Sequence, residues 1–442
     1  MIVKKSKANG KLIAPPSKSM AHRYLICAAL ADGESVIHNI DLSEDIKATL
    51  GCIKQLGSSA EIDGDKIIVH GNSGNCGKQN LSGKHNGSGA GNELNAEKSV
   101  SCAENCSLSQ ENIERLFNCN ESGSTLRFFI PISLLRPEKS RFIGSKVLMT
   151  RPLTVYEEIC RNQRISFKAG ENGIETEGVL HAGDFTVPGN ISSQFITGLL
   201  FTLPLLDDDS RIILTNSVES KPYIDMTLQV QEIFGIKAHW ENETTLFVPG
   251  NQKYIAKEAA VEGDYSNSAF FEAFNYLGGK VQIEGLNEKS LQGDKIYLEY
   301  FKKLSEGFCT LDISDCPDLG PILFTMAAAL QGGEFTGTKR LQIKESDRGR
   351  VMCEELAKFG IKTLREENRI VIYEGKPVQP EETVDGHNDH RIVMSMVTLL
   401  TVTGGKINGV EAVRKSLPDY FKRIKKLGIE FTTENDEEEL LK

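Results

Sequence analysis

The chain has 442 residues, of which 39% are hydrophobic and 25% are charged, and its formal net charge at pH 7 is −10. This composition is typical of a globular protein with two or three domains, and it excludes a disordered or membrane-spanning chain. The negative net charge argues against nucleic acid as the main partner, although small anions can still bind where a few cations converge in a cleft.

The start of the chain and its cysteines indicate the compartment. The first residues include lysines but no apolar stretch or small-residue cleavage site, and the longest mainly apolar run, Ile196 to Leu206, is too short to cross a bilayer. Ten cysteines scattered along a chain of this size are typical of reduced thiols. We therefore expect a cytoplasmic protein.

The first cluster of polar residues lies at Ala14 to Arg23, which reads Ala-Pro-Pro-Ser-Lys-Ser-Met-Ala-His-Arg. The segment predicts a turn, and an apolar helix from Tyr24 to Leu30 follows it. Two hydroxyls, a lysine and an arginine at the start of a helix suit a bound phosphate or carboxylate. Taken alone, Ser-Lys-Ser is also an ordinary helix cap, so both uses stay open.

A recurring pattern begins at Ile46, where apolar residues at helical spacing end in Leu56-Gly57 and a strand-like run follows. Glycine at that place predicts a left-handed helix cap. Four more glycine-ended copies follow, at Phe234-Gly235, Leu277-Gly278, Phe359-Gly360 and Leu427-Gly428. A sixth copy, at Gln163 to Ile165, has Arg164 where the glycine should stand. The copies together predict an α/β fold made of repeated units.

Residues 72 to 112 interrupt this pattern, since 21 of these 41 residues are Gly, Asn or Ser and no apolar period survives. We expect a flexible surface insertion here. It contains Cys76, His85, Cys102 and Cys106, but it lacks paired Cys-x-x-Cys knuckles, so we expect no metal site.

Three further polar segments stand before apolar helices. Glu121 to Arg127 reads Glu-Ser-Gly-Ser-Thr-Leu-Arg, and its glycine lets backbone N–H groups approach an anion. Asn190 to Phe195 and Ser220 to Tyr223 offer hydroxyls and amides that can cap a helix or hold a polyol, and the residues alone do not separate these uses. Arg151, taken alone, is typical of surface charge.

The most informative segment is Lys344-Glu-Ser-Asp-Arg348, because it places Glu345 between two cations. Proton transfer beside a bound phosphate needs this combination, since the cations hold the anion while the carboxyl group acts on carbon. A salt-bridged helix start is the structural alternative. Further candidates are Asn388-Asp-His-Arg391, Lys415, and Asp318 ahead of an apolar helix.

Eight cations belong to these segments, and they come from almost the whole chain. If they converge, the ligands are polyanions, since a phosphate group carries about −1.5 to −2 charges. The sequence has no metal-ligand spacing and no Gly-x-x-x-x-Gly-Lys-Ser/Thr loop, so we expect neither a metal nor a cofactor. The eight are Lys18, Arg23, Arg127, Arg151, Lys344, Arg348, Arg391 and Lys415.

The ordered set of segments resembles the 5-enolpyruvylshikimate-3-phosphate synthase family over essentially the full length, apart from the insertion. The strings that carry the resemblance are Pro-Ser-Lys-Ser at 16 to 19, Ser-Ser-Gln-Phe at 192 to 195, Lys-Pro-Tyr at 221 to 223, Lys-Glu-Ser-Asp-Arg at 344 to 348 and Asn-Asp-His-Arg at 388 to 391.

The resemblance implies an α/β (α+β) two-lobed enolpyruvyl transferase fold. Each lobe would consist of three βαβαββ repeats arranged as an inside-out α/β barrel, with the active site in the cleft between the lobes. Residues 1–15 and 263–442 would form the first, discontinuous lobe. Residues 16–262 would form the second lobe and carry the insertion. Because both lobes contribute to the site, closure would assemble it.

The resemblance also assigns ligands, and the reaction it implies joins phosphoenolpyruvate to the 5-hydroxyl of shikimate 3-phosphate. Shikimate 3-phosphate would be bound by Lys18, Ser19, Arg23, Ser192, Ser193, Gln194, Ser220, Tyr223, Asp318 and Lys344. Phosphoenolpyruvate would be bound by Lys18, Gly123, Arg127, Arg151, Gln194, Glu345, Arg348, His390, Arg391 and Lys415.

In the family, the acceptor hydroxyl loses a proton while the methylene carbon of phosphoenolpyruvate gains one, which requires two positioned groups. The resemblance gives the first role to Asp318 and the second to Glu345, with Lys18 as a rival. A tetrahedral intermediate then loses phosphate. The chain has Glu121-Ser-Gly-Ser124 where many relatives have Asn-Ala-Gly-Thr, and it has Arg340 near a position where some relatives place asparagine. Gly123 is retained where glyphosate-insensitive relatives often carry alanine, so we expect glyphosate to inhibit.

Two alternatives stay open at this point. The UDP-N-acetylglucosamine enolpyruvyl transferases share the fold, but they have Lys-Asn in the first motif where this chain has Lys18-Ser19. A catalytically silent, anion-binding relative would have lost catalytic positions, yet Asp318, Glu345 and Lys18 are all present. We expect a monomer whose partners are the two small-molecule substrates, with no nucleic acid and no membrane.

Overall fold

The computed structural model describes residues 1–72 and 114–433. The predicted insertion at 72 to 112 therefore lies, apart from Asn72, outside the described residues. In the part of the chain that is described, no helix has both the length and the apolar character needed to span a bilayer.

The described residues contain thirteen α-helices, whose bounds are α1 Lys18–Leu30, α2 Glu44–Gln55, α3 Gly123–Ser133, α4 Lys146–Met149, α5 Thr154–Asn162, α6 Ser193–Thr202, α7 Lys221–Ile233, α8 Tyr265–Tyr276, α9 Tyr297–Glu306, α10 Gly320–Ala329, α11 Arg348–Lys358, α12 His390–Thr403 and α13 Tyr420–Lys426.

The strands of the same ranges are β1 Ile2–Val3, β2 Asn9–Ile13, β3 Ala31–His38, β4 Ser59–Asp63, β5 Lys66–Gly71, β6 Arg115–Asn118, β7 Ser140–Ile143, β8 Ser166–Gly170, β9 Gly173–Glu177, β10 Asp184–Pro188, β11 Ser210–Thr215, β12 His239–Asn242, β13 Thr245–Val248, β14 Tyr254–Ile255, β15 Glu258–Ala260, β16 Lys280–Glu284, β17 Thr310–Asp312, β18 Gly333–Thr336, β19 Thr363–Arg365, β20 Arg369–Ile372, β21 Val384–Asp385, β22 Gly405–Asn408 and β23 Phe431–Thr432.

One folding unit recurs along the chain. In each copy two parallel strands are joined through a helix, and a second helix leads to an antiparallel hairpin. The strands lie side by side in the order first, second, fourth, third. Three copies are continuous in sequence, with sheet orders β6-β7-β9-β8, β10-β11-β13-β12 and β17-β18-β20-β19. The predicted βαβαββ repeat is therefore present.

Three other units are completed by distant segments. Strands β14 and β15 pair in parallel with β3, and β1 is the fourth strand beside β22 and β23. The last unit has only two strands among the described residues, β2 and β16. It lacks the hairpin because the chain passes from α9 through Gly307 directly into β17 of the next sheet.

The helix-ending residues of the repeat have the predicted left-handed conformation. The five glycines have φ between 78° and 90°, and Arg164, the residue that stands in for glycine, has φ 59°. A left-handed residue lets the chain leave the helix and enter the next strand, and glycine adopts it without a Cβ penalty. The five glycines are Gly57, Gly235, Gly278, Gly360 and Gly428.

The buried apolar side chains form two separate clusters. One contains residues from Met20 to Val261, and we call the part of the molecule around it the continuous lobe. The other contains Val3, Ala8 and Leu12 together with residues from Tyr265 to Phe431, and we call this part the split lobe.

Each lobe is built around helices that are buried nearly all round. These are α1, α3 and α6 in the continuous lobe and α8, α10 and α12 in the split lobe. A helix that is apolar on every side is stable only inside a core, which leaves its ends as the places where polar groups reach solvent. The fold thereby directs the functional groups to helix ends.

Candidate active site

A cavity lies between the lobes, and all but two of the predicted site residues line it. They come from segments that are far apart in sequence. The predicted residues in its wall are Lys18, Ser19, Arg23, Gly123, Arg127, Arg151, Ser192, Ser193, Gln194, Ser220, Tyr223, Asp318, Lys344, Glu345, His390 and Arg391.

Most of these residues stand at the amino-terminal ends of helices. Lys18 and Ser19 begin α1, Gly123 begins α3, Ser193 begins α6 and His390 begins α12. Helix α1 starts at Lys18, earlier than the predicted Tyr24, because Ser17 caps it by accepting a hydrogen bond from the Met20 N–H. Unpaired N–H groups and the positive ends of helix dipoles make this convergence favourable for anions.

One face of the cavity belongs to the continuous lobe, and its arginines have mainly neutral partners. We call it the hydroxyl wall, and it consists of Arg23, Arg127, Ser192, Ser193 and Gln194. The Arg23 guanidinium donates to the Thr227 hydroxyl (2.9 Å) and to the Ser19 and Tyr223 carbonyls (2.6 and 2.8 Å).

Arg127 is held in a short chain of neutral groups. Its Nη1 donates to Gln194 Oε1 at 2.7 Å, and Gln194 Nε2 donates to the Ser124 hydroxyl at 2.9 Å. Burial and the nearby charge of Arg151 together lower the pKa of Arg127 to about 10. Burial likewise lowers the pKa of Arg23 to about 10. Within the described residues, neither Arg23 nor Arg127 forms an ion pair with a carboxylate that would compensate for the burial of its charge.

Gly123 allows Arg151 to approach the α3 loop. A Cβ at this position would lie 2.6 Å from Arg151 Nη1 and 3.4 Å from Arg127 Nη1. The first distance is too short for any real contact, so a larger residue would displace the end of the Arg151 side chain, whereas the second is close to an ordinary van der Waals contact. Glycine at this position therefore leaves room for the Arg151 guanidinium.

Lys18 differs from its neighbours because it has an acidic partner. Its Nζ lies 2.7 Å from Asp45 Oδ2, and its backbone N–H donates to Asp264 Oδ2 at 3.2 Å. Asp45 and Asp264 both line the cavity, although the sequence reading did not single them out. Each lies at the start of a helix, where an aspartate is most often only a cap.

The opposite face belongs to the split lobe and is dense in ion pairs. We call it the carboxylate wall, and it consists of Asp318, Lys344, Glu345 and Arg391, with the guanidinium of Arg348 directly behind them. Asp318 lies 3.0 Å from Lys344 Nζ, 2.8 Å from Arg348 Nη1 and 3.4 Å from Arg391 Nη2. Burial alone would raise the pKa of Asp318, but the charges of these three cations hold it well below its usual range.

Glu345 is ionised for a similar reason. Burial opposes ionisation, but the charges of Arg348 and Arg151 lead a group of cations that hold the Glu345 pKa well below its usual range. His390 is buried beside it, and neither of its ring nitrogens has a hydrogen-bond partner among the described residues. Burial and then the charge of Lys18 lower the His390 pKa well below its ordinary value, so the ring is neutral.

Arg348 was predicted to be a ligand, but it lies behind the cavity wall. Only 1% of its side chain is exposed, and it donates to Asp318, Glu345 and Asp389. Asp389 is fully buried and also caps α12 through the Arg391 N–H. The guanidinium thus joins three carboxylates and keeps them in fixed positions.

Lys415 is the other predicted residue that does not line the cavity. Its Nζ pairs with the Glu121 carboxylate and donates to the Asn388 carbonyl at 2.6 Å. Asn388 Nδ2 also donates to both Glu121 oxygens at 3.3 Å. Because Glu121 belongs to the continuous lobe and the other two to the split lobe, this group connects the lobes.

Arg340 is a cavity residue that the motifs did not assign. Its Nη1 donates to the Ser220 hydroxyl at 2.6 Å and lies 3.7 Å from the Glu219 carboxylate. Ser220 precedes α7 in the left-handed conformation with φ 57°, which turns its hydroxyl toward Arg340. The sequence contained one signal for Arg340, namely that it stands near a position where some members of the similar family have an asparagine.

The described residues hold no group of three or more His, Cys, Asp or Glu side chains arranged to bind a metal ion. Cys76, His85, Cys102 and Cys106 of the insertion, where we expected no metal site, lie outside the described residues. Within the described ranges the seven cysteines are free thiols.

Known proteins similar to this chain share its length and its fold. The family model of EPSP synthase (3-phosphoshikimate 1-carboxyvinyltransferase) matches residues 2–89, 88–309 and 303–424. A 3-phosphoshikimate 1-carboxyvinyltransferase of Clostridium perfringens (strain 13 / Type A) is 38% identical, over 97% of this chain and 98% of the relative. One of Clostridium botulinum (strain Eklund 17B / Type B) is 39% identical, over 96% of each chain.

A solved EPSP synthase of Acinetobacter baumannii has the same fold, with a TM-score of 0.72 at 20% identity. It covers 98% of this chain and 99% of its own. The family match extends from the first strand to α13 and includes every segment that contributes to the cavity. The chain therefore belongs to the family of EPSP synthase (3-phosphoshikimate 1-carboxyvinyltransferase).

Proposed function

We propose that this protein transfers the enolpyruvyl group of phosphoenolpyruvate to the 5-hydroxyl of shikimate 3-phosphate, giving 5-enolpyruvylshikimate 3-phosphate and phosphate. This reaction belongs to the shikimate pathway, which leads to chorismate and the aromatic amino acids. The observation that carries the proposal is a cavity in which ionised carboxylates and many cations from both lobes face one space. The cations in its wall are Lys18, Arg23, Arg127, Arg151, Arg340, Lys344 and Arg391.

Shikimate 3-phosphate is assigned to the part of the cavity between the hydroxyl wall and Asp318. Its phosphate meets Ser192, Ser193 and Arg340, where hydroxyls lie beside a buried guanidinium. Its ring hydroxyls meet Asp318 and Lys344. The remaining contacts come from the predicted set, with Tyr223 beside the ring and Lys18, Ser19, Arg23, Gln194 and Ser220 around it.

Phosphoenolpyruvate is assigned to the adjoining space between Gly123, Arg127 and Arg151 on one side and Arg391 on the other. Its phosphate and carboxylate supply the counter-charge that Arg127 lacks. Lys415 reaches the ligand only after its pair with Glu121 opens. Arg348 acts from behind the wall by holding Glu345 in place.

The chemistry needs a base for the hydroxyl and an acid for the methylene carbon. Asp318 takes the hydroxyl proton. Glu345, or Lys18 as its rival, delivers a proton to carbon and takes it back when phosphate leaves. Glu345 is ionised in the empty cavity, and two bound anions would offset the charges of Arg348 and Arg151, so its pKa rises toward a value at which it can donate. The fixed cations stabilise the tetrahedral intermediate.

The two apolar clusters support lobes bounded near residues 15 and 263, which places the chain crossings beside the cavity. The isolated bridge between Pro16 and Gly263 joins the two crossings. We further propose that the protein is a cytoplasmic monomer that does not act on nucleic acid. Free thiols and the net charge of −10 support this assignment.

The direct test is phosphate release from phosphoenolpyruvate in the presence of shikimate 3-phosphate. We expect release that depends on this acceptor, that is absent with UDP-N-acetylglucosamine, and that falls strongly in Glu345→Gln. Release with UDP-N-acetylglucosamine alone would show that the acceptor is assigned wrongly. Tight anion binding without any release would favour the catalytically silent alternative.

A further inference from the structure

Two carboxylates, the buried Asp294 and the partly buried Asp318, flank the hydroxyl group of Tyr223. The Tyr223 oxygen lies 3.1 Å from Asp294 Oδ2 and 3.5 Å from Asp318 Oδ2. Asp294 belongs to the 3₁₀ turn Gly293–Ile296 before α9, and only 4% of it is exposed. No motif in the sequence pointed to Asp294.

Asp294 does not line the main cavity but lies directly beneath it. A small second cavity beside it shares Ser19, Tyr223 and Asp264 with the main one. The Tyr223 side chain therefore lies between the main cavity and Asp294. A group at this place can influence Asp318 without touching a substrate.

The cations of the carboxylate wall make Asp318 a weaker base. Asp318 has three cationic partners, and they favour its ionised form so strongly that it binds a proton weakly. A nearby negative charge would oppose them. Asp294 supplies one, and the charged groups that face it are Asp318, Arg391 and Asp264. Tyr223 and the Cys316 thiol are the neutral titratable groups around it.

Asp294 changes its charge slightly below neutral pH. Burial and the charge of Asp318 raise its pKa to about 6, although the charge of Arg391 opposes this shift. A carboxyl group with a raised pKa is neutral below that value and ionised above it. The negative charge of Asp294 is thus present at neutral pH and is lost as the pH falls through about 6.

The single hydrogen of the Tyr223 hydroxyl couples the two carboxylates. When Asp294 is ionised, Tyr223 donates its one hydrogen preferentially to Asp294, whose oxygen is nearer at 3.1 Å, and only weakly to Asp318 at 3.5 Å. When Asp294 is protonated, it can donate to the Tyr223 oxygen, and Tyr223 then donates to Asp318. A donated hydrogen bond stabilises the ionised form of a carboxylate, so both the bond and the charge make Asp318 more basic when Asp294 is ionised.

We propose that Asp294 is a positioning residue that keeps Asp318 basic, through its charge and through the hydrogen bond that it accepts from Tyr223. This inference rests on the proposed function, because it concerns the base that removes the acceptor proton. Asp294 contacts no substrate and acts only through Tyr223 and Asp318.

The test is kcat as a function of pH for the full chain with saturating shikimate 3-phosphate and phosphoenolpyruvate. We expect kcat of the unchanged protein to rise through a step near pH 6. In Asp294→Asn the step should be smaller, and kcat at pH 7.5 should be lower on the order of tenfold. Substrate phosphates also titrate near pH 6, but they do so equally in both proteins, so the ratio of the two kcat values isolates the contribution of Asp294.

Asp41→Asn is the matched control. Burial and the charge of Asp419 raise the pKa of Asp41 to about 6 as well, but this residue lies away from the cavity beside Arg423. The control should therefore keep the step. In a Tyr223→Phe background, where the bridging hydroxyl is gone, Asp294→Asn should change the step less than it does in the unchanged protein.

Two results would overturn the inference: a kcat in Asp294→Asn that equals that of the unchanged protein at every pH, or a kcat that is lower by the same factor at every pH. The second result is what a merely structural role predicts. A thermal melt shows whether Asp294→Asn is folded. If it is not, the pH dependence of kcat in Tyr223→Phe is the test, and a step near pH 6 as large as that of the unchanged protein would also overturn the inference. If the unchanged protein shows no turnover, both the proposed function and this inference are contradicted. If the unchanged protein turns over normally and Asp294→Asn has the same pH dependence of kcat, only the inference is contradicted.

Discussion

The hydroxyl wall and the carboxylate wall both carry buried arginines, but their electrostatic states are opposite. Burial lowers the pKa of Arg23 and Arg127 to about 10, because their partners are hydroxyls, amides and carbonyls. Burial also disfavours the charges of Arg348 and Arg391, yet adjacent carboxylates raise the pKa of both. One lobe thus presents cations that need an anion, and the other presents carboxylates that cations keep ionised.

This difference separates binding from proton transfer. A buried cation without a counter-charge gains most when an anionic ligand arrives. A carboxylate fixed by several cations holds its position and its charge, which suits a group that must exchange a proton. Both walls line the same cavity, so both properties act on the same ligands.

The largest expected effect concerns turnover and the carboxylate wall. Asp318→Asn removes the proposed base while preserving the shape of the side chain, so kcat should fall by roughly 10² to 10⁴. Steady-state phosphate release measures this. Asp347→Asn is the control, because Asp347 caps α11 next to the same segment and asparagine also caps helices. If Asp318→Asn kept more than about a tenth of the original kcat, Asp318 would not be the base.

The next effect is on stability, and it tests the contrast between the walls directly. Arg348→Gln should destabilise the protein by about 3–5 kcal/mol, because the fully buried Asp389 loses its counter-charge. Arg127→Gln should change the unfolding free energy by less than about 1 kcal/mol, since its main partner is the neutral Gln194. Urea denaturation of both variants gives the comparison. Equal losses would mean that the walls do not differ in this way.

A smaller effect is expected at the α3 loop. In Gly123→Ala the new Cβ would meet Arg151 and Arg127, so the KM for phosphoenolpyruvate should rise about tenfold. We expect glyphosate to inhibit the unchanged protein and to inhibit this variant less. Gly51→Ala in α2 is the control, because a Cβ there has no neighbour within 4 Å. A normal KM in Gly123→Ala would contradict the steric explanation.

The smallest effect concerns the pair between the lobes. Glu121→Gln frees Lys415, which should lower the KM for phosphoenolpyruvate about threefold, in keeping with a partly exposed ion pair. Steady-state kinetics at low salt measures the change. Glu157→Gln, an exposed charge change on α5, serves as the control. An increase in KM would show that Glu121 helps the ligand to bind instead of competing with it.

The sequence predicted the parts of this molecule that depend on local chemistry. The helix-ending glycines were found because a left-handed residue has few alternatives, and even Arg164 was recognised by its place in the repeat. The segments around Lys18, Gly123 and Lys344 were found because hydroxyls, glycine and cations before an apolar helix are unusual together.

The sequence did not predict groups whose role depends on neighbours in space. Asp45, Asp264 and Asp294 each have the signal of an ordinary turn or helix start, and only the fold brings them to the cavity or beneath it. Arg348 lies beside the cavity but not in its wall, because Asp318 and Asp389, which are distant in sequence, and the nearby Glu345 together hold its guanidinium inside.

The pairing of the first strand has a consequence for how the chain is made. Ile2 and Val3 of β1 pair with residues 405–406 of β22 and residues 431–432 of β23. A ribosome adds about 5–20 residues per second, so Ile2 waits roughly 20 to 80 s for Lys406 to be synthesised. The continuous lobe has its apolar partners between Met20 and Val261 and can fold during that time. The residues of β1 therefore reach their place in the sheet only after β22 and β23 have been synthesised.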